Sequence, residues 1–496
     1  MEGNLASTLA RRADTGGWRD RPLFYTGDGT VSHGEVHDAA ARAAGVLRAA
    51  GVRRGDRVLL ALPDSVPLVA ALFGTLRIGA VAVFAGPEQD EREHAYVLAD
   101  AEPRAVVCAP ELAGRFPSAQ VLTGGDLADE PASVPEPVPV DGGDPAYVQY
   151  TSGTTGKPKG AVHRHTDAEA YFAAMGSRAL AMRRSDVVFS LAKACYPYGL
   201  GATVLFPMFC GAAAVLWAAQ PSVEGAAEQA RRHRPTLLFT VPTWYARLVA
   251  APERAAGVRR AFGSLRAAAS AGEPLLPALA ARIERVLGCP VLDGLGSTEV
   301  GHTFVSNTVE RRRRGTLGVP LEPYEISVRS EAGPGRPAGP GEPGVLYVRG
   351  PSVMLGYLGK PGRTAEVLSE DGWLRTGDLV HVDGDGFVHH HGRVLDQVLV
   401  SGRRVSPLEV ERILGQHPGL VEVAVVPDGS AAGGLHAYAV AITGADEMVL
   451  LAELLDLART RLPEHKVPAT VNFLAELPRT STGKIRRSAL RPDGRG

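Results

Sequence analysis

The chain has 496 residues, 45% of them hydrophobic and 22% charged, and its 53 Lys+Arg nearly balance 54 Asp+Glu for a formal net charge of -1. That length is too great for one compact core and predicts two to four structural units, while the charge balance excludes a global electrostatic attraction to nucleic acid or an anionic membrane. Cys108, Cys195, Cys210 and Cys289 are widely spaced with no CxxC pair, which argues against a structural metal site and reads as free buried thiols in a reducing compartment.

The opening MEGNLASTLARRADTGGW carries no apolar core of signal-peptide length. Residues 36–50 then alternate apolar and polar positions at helical spacing, DRVLLALP (56–63) reads as a buried strand, and SVPLVAALFGTLRIGAVAVFAG continues as helix, glycine break and strand. The order returns in the strand-like run 104–110, the helix-like EGAAEQARRH and the strand-like TLLFTVP. Strands alternating with helices predict layered α/β domains with largely parallel sheets. Residues 129–145, rich in Pro, Asp and Gly, read as a loop. The apolar stretch 199–219 is interrupted by Pro207 and several glycines, so it reads as a buried segment and not as a membrane span of ~18 residues.

From about Gly315 the texture changes to short β-rich runs (EISVRS, GVLYVRG, FVHHHG, VLVSG) between Gly/Pro turns. A last unit reads as helix, strand, strand, helix and tail: SPLEVERIL, VEVAVVP, HAYAVAI and MVLLAELLDLARTRL. No repeat of 20–50 residues is present. The expected fold is α/β, with a large N-terminal domain (1–394) of layered αβ subdomains plus a β-rich subdomain, and a small α+β C-terminal domain (395–496). With no signal or membrane segment, a cytoplasmic protein is expected.

The most informative stretch is Tyr150-Thr151-Ser152-Gly153-Thr154-Thr155-Gly156-Lys157-Pro158-Lys159-Gly160. Small residues let a backbone approach an anion closely, hydroxyls and amides can surround phosphate oxygens, and two lysines add charge. It is not a Walker A loop, because the Gly153–Gly156 separation is wrong and Pro158 stands where Ser or Thr is required. On these residues alone it reads either as a phosphate cradle or as a polar turn.

YTSGTTGKPKG resembles the phosphate loop of the adenylate-forming superfamily of acyl- and aryl-CoA synthetases, nonribosomal adenylation domains and luciferases. Four more segments resemble its signatures in the expected order: Gly294-Leu295-Gly296-Ser297-Thr298-Glu299, Arg375-Thr376-Gly377-Asp378, a hinge region from Gly392-Arg393 through Val400-Ser401-Gly402 to Ser406-Pro407-Leu408-Glu409, and Pro478-Arg479-Thr480-Ser481-Thr482-Gly483-Lys484. The resemblance implies ATP, Mg²⁺ and coenzyme A as reactants and cofactor, a carboxylic acid as substrate, and a C-terminal domain that rotates between two half-reactions.

Activating a carboxylate on the α-phosphorus of ATP brings two anions together, so charge must be neutralised and the reactants aligned. The resemblance implies that Thr151, Ser152, Gly153, Thr154, Thr155, Gly156, Lys157 and Lys159 surround the phosphates. It gives Glu299 and Thr154 to Mg²⁺, a hard ion that prefers oxygen ligands. Gly272, Glu273, Asp293, Gly294, Ser297 and Thr298 would complete the nucleotide site. Asp378 would accept from both ribose hydroxyls, with Arg393 as a further donor, and Lys484 would bridge carboxylate and phosphate oxygens. Rotation would remove Lys484 and open a pantetheine path along Ser401, Gly402 and Arg403. The hinge position, commonly Asp or Lys in the family, is Leu395 here, followed by Asp396.

Within the superfamily the likeness is greatest to benzoate-type aryl-CoA ligases, on Ala192-Lys193, Tyr198-Gly199-Leu200-Gly201, Val241-Pro242-Thr243-Trp244-Tyr245 and Gly296-Ser297-Thr298-Glu299-Val300-Gly301-His302. It implies an acid pocket formed by Tyr198, Gly199, Ala271, Gly296 and His302, with His302 donating to the carboxylate. The many small residues nearby suggest room for an acid bulkier than benzoate. The run Arg311–Arg314 could meet the CoA phosphates or form a solvated face. In His389-His390-His391 the strand period points neighbours to opposite faces, which argues against a metal cluster. The reading is an acid:CoA ligase, a monomer or homodimer, with two alternatives: an enzyme that loads a carrier protein's phosphopantetheine, and a non-catalytic acyl-adenylate binder.

Overall fold

The apolar runs become the inner strands of two large sheets in the computed structural model, which describes residues 3–151, 157–250, 252–330, 335–429, 433–479 and 485–491. In the first sheet Arg57–Ala61, Val81–Phe84, Ala105–Cys108, Val121–Thr123 and Pro145–Thr151 run parallel. VAVF and AVVC are buried along their whole length, as strands covered on both faces must be. The helices His33–Ala49 and Val66–Arg77 pack on this sheet through one large apolar cluster. The first of them starts where Ser32 Oγ accepts from the Glu35 amide and Glu35 returns a carboxylate oxygen to the Ser32 amide, a reciprocal cap that satisfies two otherwise unpaired donors. Lys159–Arg164 turns back antiparallel on Pro145–Thr151, with Thr151 opposite Lys159, and Gly356–Tyr357 extends that edge.

The second sheet has nine strands, and Val187–Ser190, Ala213–Val215, Leu237–Thr240, Ala267–Ser270 and Val291–Gly296 form its parallel centre. Their carboxyl ends run into the segments that carry Tyr198, Thr243, Gly272–Glu273 and Ser297–His302. Ligands of open parallel sheets bind outside the carboxyl ends of the strands. Topology therefore gathers residues 100 positions apart onto one edge. A third, four-stranded antiparallel sheet (Glu325–Arg329, Gly344–Arg349, Leu374–Val382, Val388–Arg393) supplies the expected β-rich part.

Beyond it come a hairpin (Val398–Val400 with Arg403–Val405), the helix Pro407–Leu414, the strands Leu420–Pro427 and Leu435–Ala441, and the helix Glu447–Arg461, around a core of their own. The tail expected after that helix contains a further strand, Thr470–Phe473, parallel to Leu435–Ala441. Only one of its four side chains is fully buried, so the sequence shows no two-residue period there. This C-terminal unit docks on the second sheet's helices. Val421 joins the same apolar cluster as Tyr245 and Ile283, with Val440 and Ile442 packed against it, and Arg282 donates to Pro418 O at 2.9 Å and Leu420 O at 3.1 Å. Among the described residues no helix is long and apolar enough to cross a membrane.

Candidate active site

Ser152–Gly156, including Thr154, and Thr480–Lys484 lie outside the described residues; the elements around them do not. Tyr150, the last buried residue before the phosphate loop, donates to Asp100 Oδ2 at 2.8 Å, and Asp100 also pairs with Lys360. Tyr96 donates to Pro158 O at 2.8 Å on the returning side. Both ends of the loop are thus tied to the helix Glu91–Ala101. The Lys157 ammonium lies 5.6 Å from the centre of the Tyr96 ring and that of Lys159 lies 4.5 Å from Tyr357, so both charges rest on aromatic faces at the mouth of the loop.

Tyr357 also donates its phenol to Glu299 Oε1 at 2.7 Å. Glu299 is half-buried in the short turn Thr298–Val300 that follows Gly296, and among the described residues its Oε2 has no hydrogen bond. One carboxylate oxygen is therefore fixed and the other left available.

Across the third sheet Asp378 stands in register with Arg393. Asp378 is buried and accepts from Arg393 Nε and from His390 Nε2, each at 3.3 Å. Burial pushes its carboxyl up, but the His390 hydrogen bond and the Arg393 charge outweigh burial and hold it below the ordinary carboxylate range. The charge of Asp378, and less strongly that of Glu299, raises Arg393. The strand period separates the histidine run as expected. His390 turns to Asp378, while His389 stacks on His381 at 4.5 Å and His391 Nε2 lies 2.6 Å from His381 Nδ1. Among the described residues no group of His, Cys, Asp and Glu is arranged to hold a metal ion.

The expected acid residues do come together. Tyr198 and His302 have ring centres 5.3 Å apart, with Phe206 4.7 Å and Tyr171 5.7 Å from His302. Burial drives the His302 imidazole down to about 3, so it is neutral. Its Nε2–H donates to Tyr198 O at 3.3 Å, which leaves the buried Nδ1 an acceptor with no partner among the described residues. The donor expected for a substrate carboxylate is thus committed to the protein's own backbone. Tyr198 Oη is buried with no partner among the described residues.

The expectation that small residues leave room for a bulky acid is corrected at Gly199, Gly201 and Gly294. A Cβ on Gly199 would stand 2.1 Å from Lys193 O, on Gly201 2.4 Å from His302 Cδ2, and on Gly294 2.8 Å from Thr303 Cγ2. These glycines make room for protein atoms, not for substrate. Gly272 differs, with φ of +88° and its nearest neighbour, Val241 Cγ1, at 3.6 Å.

On the nucleotide side, Glu273 Oε2 accepts from Thr243 Oγ1 at 2.7 Å and from the Thr243 amide at 3.2 Å. Asp293 is buried, and its Oδ1 has no partner among the described residues. Burial pushes it well above the carboxylate range, against the pull of Arg412 from the helix Pro407–Leu414. Sequence reading passed over Arg412, His390, Tyr357 and Arg479. His390 sits in the run read only for metal, and Arg479 sits inside the quoted C-terminal signature.

The residues expected to line a thiol path after rotation stand at the surface in this arrangement of the units. Ser401, Gly402 and Arg403 are exposed at the turn of the hairpin, and Leu395 is 67% exposed in the turn Val394–Asp396. The arginine run is engaged within the protein: Arg313 pairs with Asp383 and Asp385, Arg314 with Glu284, Arg311 with Asp385 O and Arg312 with Val309 O.

Residues 10–358 match the AMP-binding enzyme family and residues 409–484 the AMP-binding enzyme C-terminal domain. The chain is 42% identical over 99% of its length to p-hydroxybenzoic acid–AMP ligase of Mycobacterium tuberculosis, of which it covers 69%. It is 33% identical over 98% of its length to 4-hydroxybenzoate–CoA/benzoate–CoA ligase of Rhodopseudomonas palustris, covering 94% of that enzyme. A benzoate CoA ligase structure from Burkholderia xenovorans superposes with a TM-score of 0.89 at 32% identity, covering 98% of this chain and 99% of that one. An anthranilate CoA ligase in complex with anthranoyl-AMP superposes with a TM-score of 0.92 at 29% identity, covering 99% and 97%.

Proposed function

The chain belongs to the AMP-binding enzyme family, and from that premise we propose that it activates an aromatic carboxylic acid with ATP as the acyl-adenylate, releasing pyrophosphate, and passes the acyl group to the thiol of coenzyme A with release of AMP. The observation that carries this reading is the grouping of Glu299, Tyr357 and Lys159 at the mouth of the phosphate loop. The buried Asp378 beside Arg393 and His390 gives the ribose hydroxyls an ionised acceptor. Attack by a carboxylate on the α-phosphorus needs those charges held in place before the reactants meet. Lys484 would supply the remaining cation, and Leu395 would be the pivot between the halves of the reaction.

The family implies Mg²⁺, and the donor set fits it. Glu299 offers a hard oxygen, Oε2, that is free of hydrogen bonds among the described residues while Oε1 is anchored. Glu299, with Thr154, would hold the ion, and when bound it would neutralise phosphate charge.

A panel of hydroxybenzoates, benzoate, anthranilate, alicyclic and fatty acids tests the reading by pyrophosphate release with and without CoA. Formation of ADP and phosphate would exclude it, because attack would then fall at the γ-phosphorus. A second acceptor is favoured by one observation: the relative at 42% identity is named an AMP ligase, above CoA ligases at 32–34%. Under that reading the thiol belongs to a carrier protein's phosphopantetheine, and the panel run with a holo carrier protein in place of CoA separates the two. Either acceptor places the enzyme in the cytoplasm, with ATP at hand.

A further inference from the structure

Arg479 belongs to the C-terminal unit but reaches out of it. Its guanidinium is 11% exposed and forks between the two units: Nη2 donates to Glu422 Oε2 at 2.6 Å, and Nη1 donates to Thr243 Oγ1 at 2.5 Å. Thr243 begins the helix Pro242–Val249 at the carboxyl edge of the second sheet. A threonine hydroxyl has one proton, and here it goes to Glu273 Oε2 at 2.7 Å while the oxygen receives Arg479. The chain of donors therefore runs Arg479 to Thr243 to Glu273 and crosses the unit boundary once.

Without that arginine two carboxylates would oppose each other across the boundary, with only the charge of Arg247, among the described residues, left to offset Glu422. Glu422 of the C-terminal unit faces Glu273 of the large one. Burial raises the Glu422 carboxyl and the charge of Glu273 raises it further, while Arg479 pulls it back. A guanidinium fork suits the join, because its fixed planar donors serve a carboxylate and a hydroxyl at once. The backbone also makes Arg479 the fixed end of a longer segment. It forms an antiparallel bridge with Ile485, and the Arg486 amide donates to Pro478 O at 2.8 Å. Ile485 directly follows Lys484 in the sequence.

We propose that Arg479 is a positioning residue for adenylation. Through Thr243 it sets the C-terminal unit in the register that the first half-reaction needs, and that contact is absent when the thiol attacks. The proposal rests on the acyl-adenylate reading given above. A purely structural ion pair with Glu422 would make a different demand, because losing it would impair both half-reactions alike.

The experiment compares wild type with Arg479→Met, Arg479→Lys and Thr243→Val in three measurements. These are acid-dependent pyrophosphate exchange, thioester formation from chemically made aroyl-adenylate, and hydrogen exchange of the helix Pro242–Val249 in the ligand-free protein. Arg479→Met should lower exchange kcat by about 10- to 100-fold, the cost typical of a small misplacement of a reacting group. Its KM for the acid should change far less, and its rate from preformed adenylate should stay within about 3-fold of wild type. Thr243→Val should lower exchange kcat by about 10-fold, since it leaves the guanidinium without its partner across the boundary. Arg479→Lys, which keeps the charge, should recover part of the loss. Both Arg479→Met and Thr243→Val should reduce protection of the helix. Wild-type exchange rates in Arg479→Met overturn the proposal, as does an equal loss in both half-reactions, and so does a Thr243→Val variant that behaves as wild type. If wild type exchanges pyrophosphate with no acid, the functional reading fails. Helix protection then decides alone whether Arg479 and Thr243 join the two units, and unchanged protection in both variants refutes the join.

Discussion

Arg393 stands opposite Asp378 across two antiparallel strands and donates Nε to its Oδ1 at 3.3 Å, while His390 approaches the same oxygen at the same distance. A buried carboxylate held ionised by two donors keeps a lone pair for ribose hydroxyls. Asp378→Asn should therefore raise KM for ATP and lower kcat/KM for adenylation by about 10- to 100-fold, the range expected for losing hydrogen bonds to a charged group. His390→Gln should act in the same direction but less. Steady-state kinetics with ATP varied checks both, and an unchanged KM for ATP in Asp378→Asn would remove Asp378 from the nucleotide site.

Tyr357→Phe keeps the ring under Lys159 but removes the hydrogen bond that anchors Glu299. It should lower adenylation by about 10-fold and shift the Mg²⁺ dependence to higher concentration, because Glu299 then has to be ordered by the ion. A magnesium titration of pyrophosphate release gives the answer. An unaltered titration curve would mean that Glu299 does not meet the ion.

Gly201→Ala tests the claim that the glycines accommodate protein atoms. The added methyl would stand 2.4 Å from His302 Cδ2. Overpacking of that kind costs about 1–3 kcal/mol, so the melting temperature should drop, and activity should fall for benzoate and for bulkier acids alike. A selective loss confined to bulky acids would instead show that Gly201 faces the substrate.

Lys484→Ala and Gly402→Leu should divide the reaction between them. The first should reduce adenylate formation by about 10²–10³, the usual worth of one preorganised charge, yet still convert supplied aroyl-adenylate to thioester. Gly402→Leu should spare pyrophosphate exchange and block thioester formation. Its φ of +75° with open space around it makes the substitution strained but not a clash. Equal impairment of both steps by Lys484→Ala would exclude a two-position mechanism.

Stability should fall as pH drops below about 6.5. Burial lowers His33, His37 and His165 to about 4 and His302 to about 3, each 8% exposed or less. Between those values and the ordinary 6.5 the unfolded chain binds more protons than the folded one, so each group destabilises the fold as pH falls through that window. Asp64, raised to about 6 by burial, works in the opposite direction between 3.8 and 6. Asp293 and Glu422, also raised by burial, act with Asp64, while His391, lowered to about 4, acts with the other histidines. Five histidines lowered to about 3–4 against three raised carboxyls predict a melting temperature that declines from pH 6.5 to 4.5, as thermal unfolding by circular dichroism will report. A flat profile would contradict the burial.

The contiguous part of the site was legible in the sequence. Glu299, Asp378 and the flanks of the phosphate loop lie in short strings that combine small residues with one acid; Glu299 and the loop flanks fall where strands end, and Asp378 within the strand Leu374–Val382. What depends on register was not. Arg393 had been assigned to the ribose, but its partner is chosen by which residue faces it on the neighbouring strand, and His390 acquires Asp378 through the same pairing. Tyr357 reaches Glu299 only because the two-residue strand Gly356–Tyr357 pairs with Lys159–Arg164. The glycines near the acid pocket misled for a related reason, since composition shows that space is needed and not which atoms fill it. Thr470–Phe473 was missed because one buried side chain makes no pattern.

Glu273 closes the series Arg479, Thr243, Glu273 and also follows Gly272 at the open edge of the second sheet. Its Oε2 is committed to Thr243, so the join between the units ends on a carboxylate beside that edge. A ligand that draws on Glu273 Oε2 competes with the Thr243 hydroxyl and weakens docking, and one that leaves it alone does not. Linkage then requires the reciprocal: the docked form must discriminate between two such ligands by the same factor by which they differ in promoting docking. The ratio of ligand affinities in wild type and in Thr243→Val measures that coupling directly, as a free energy and without any turnover.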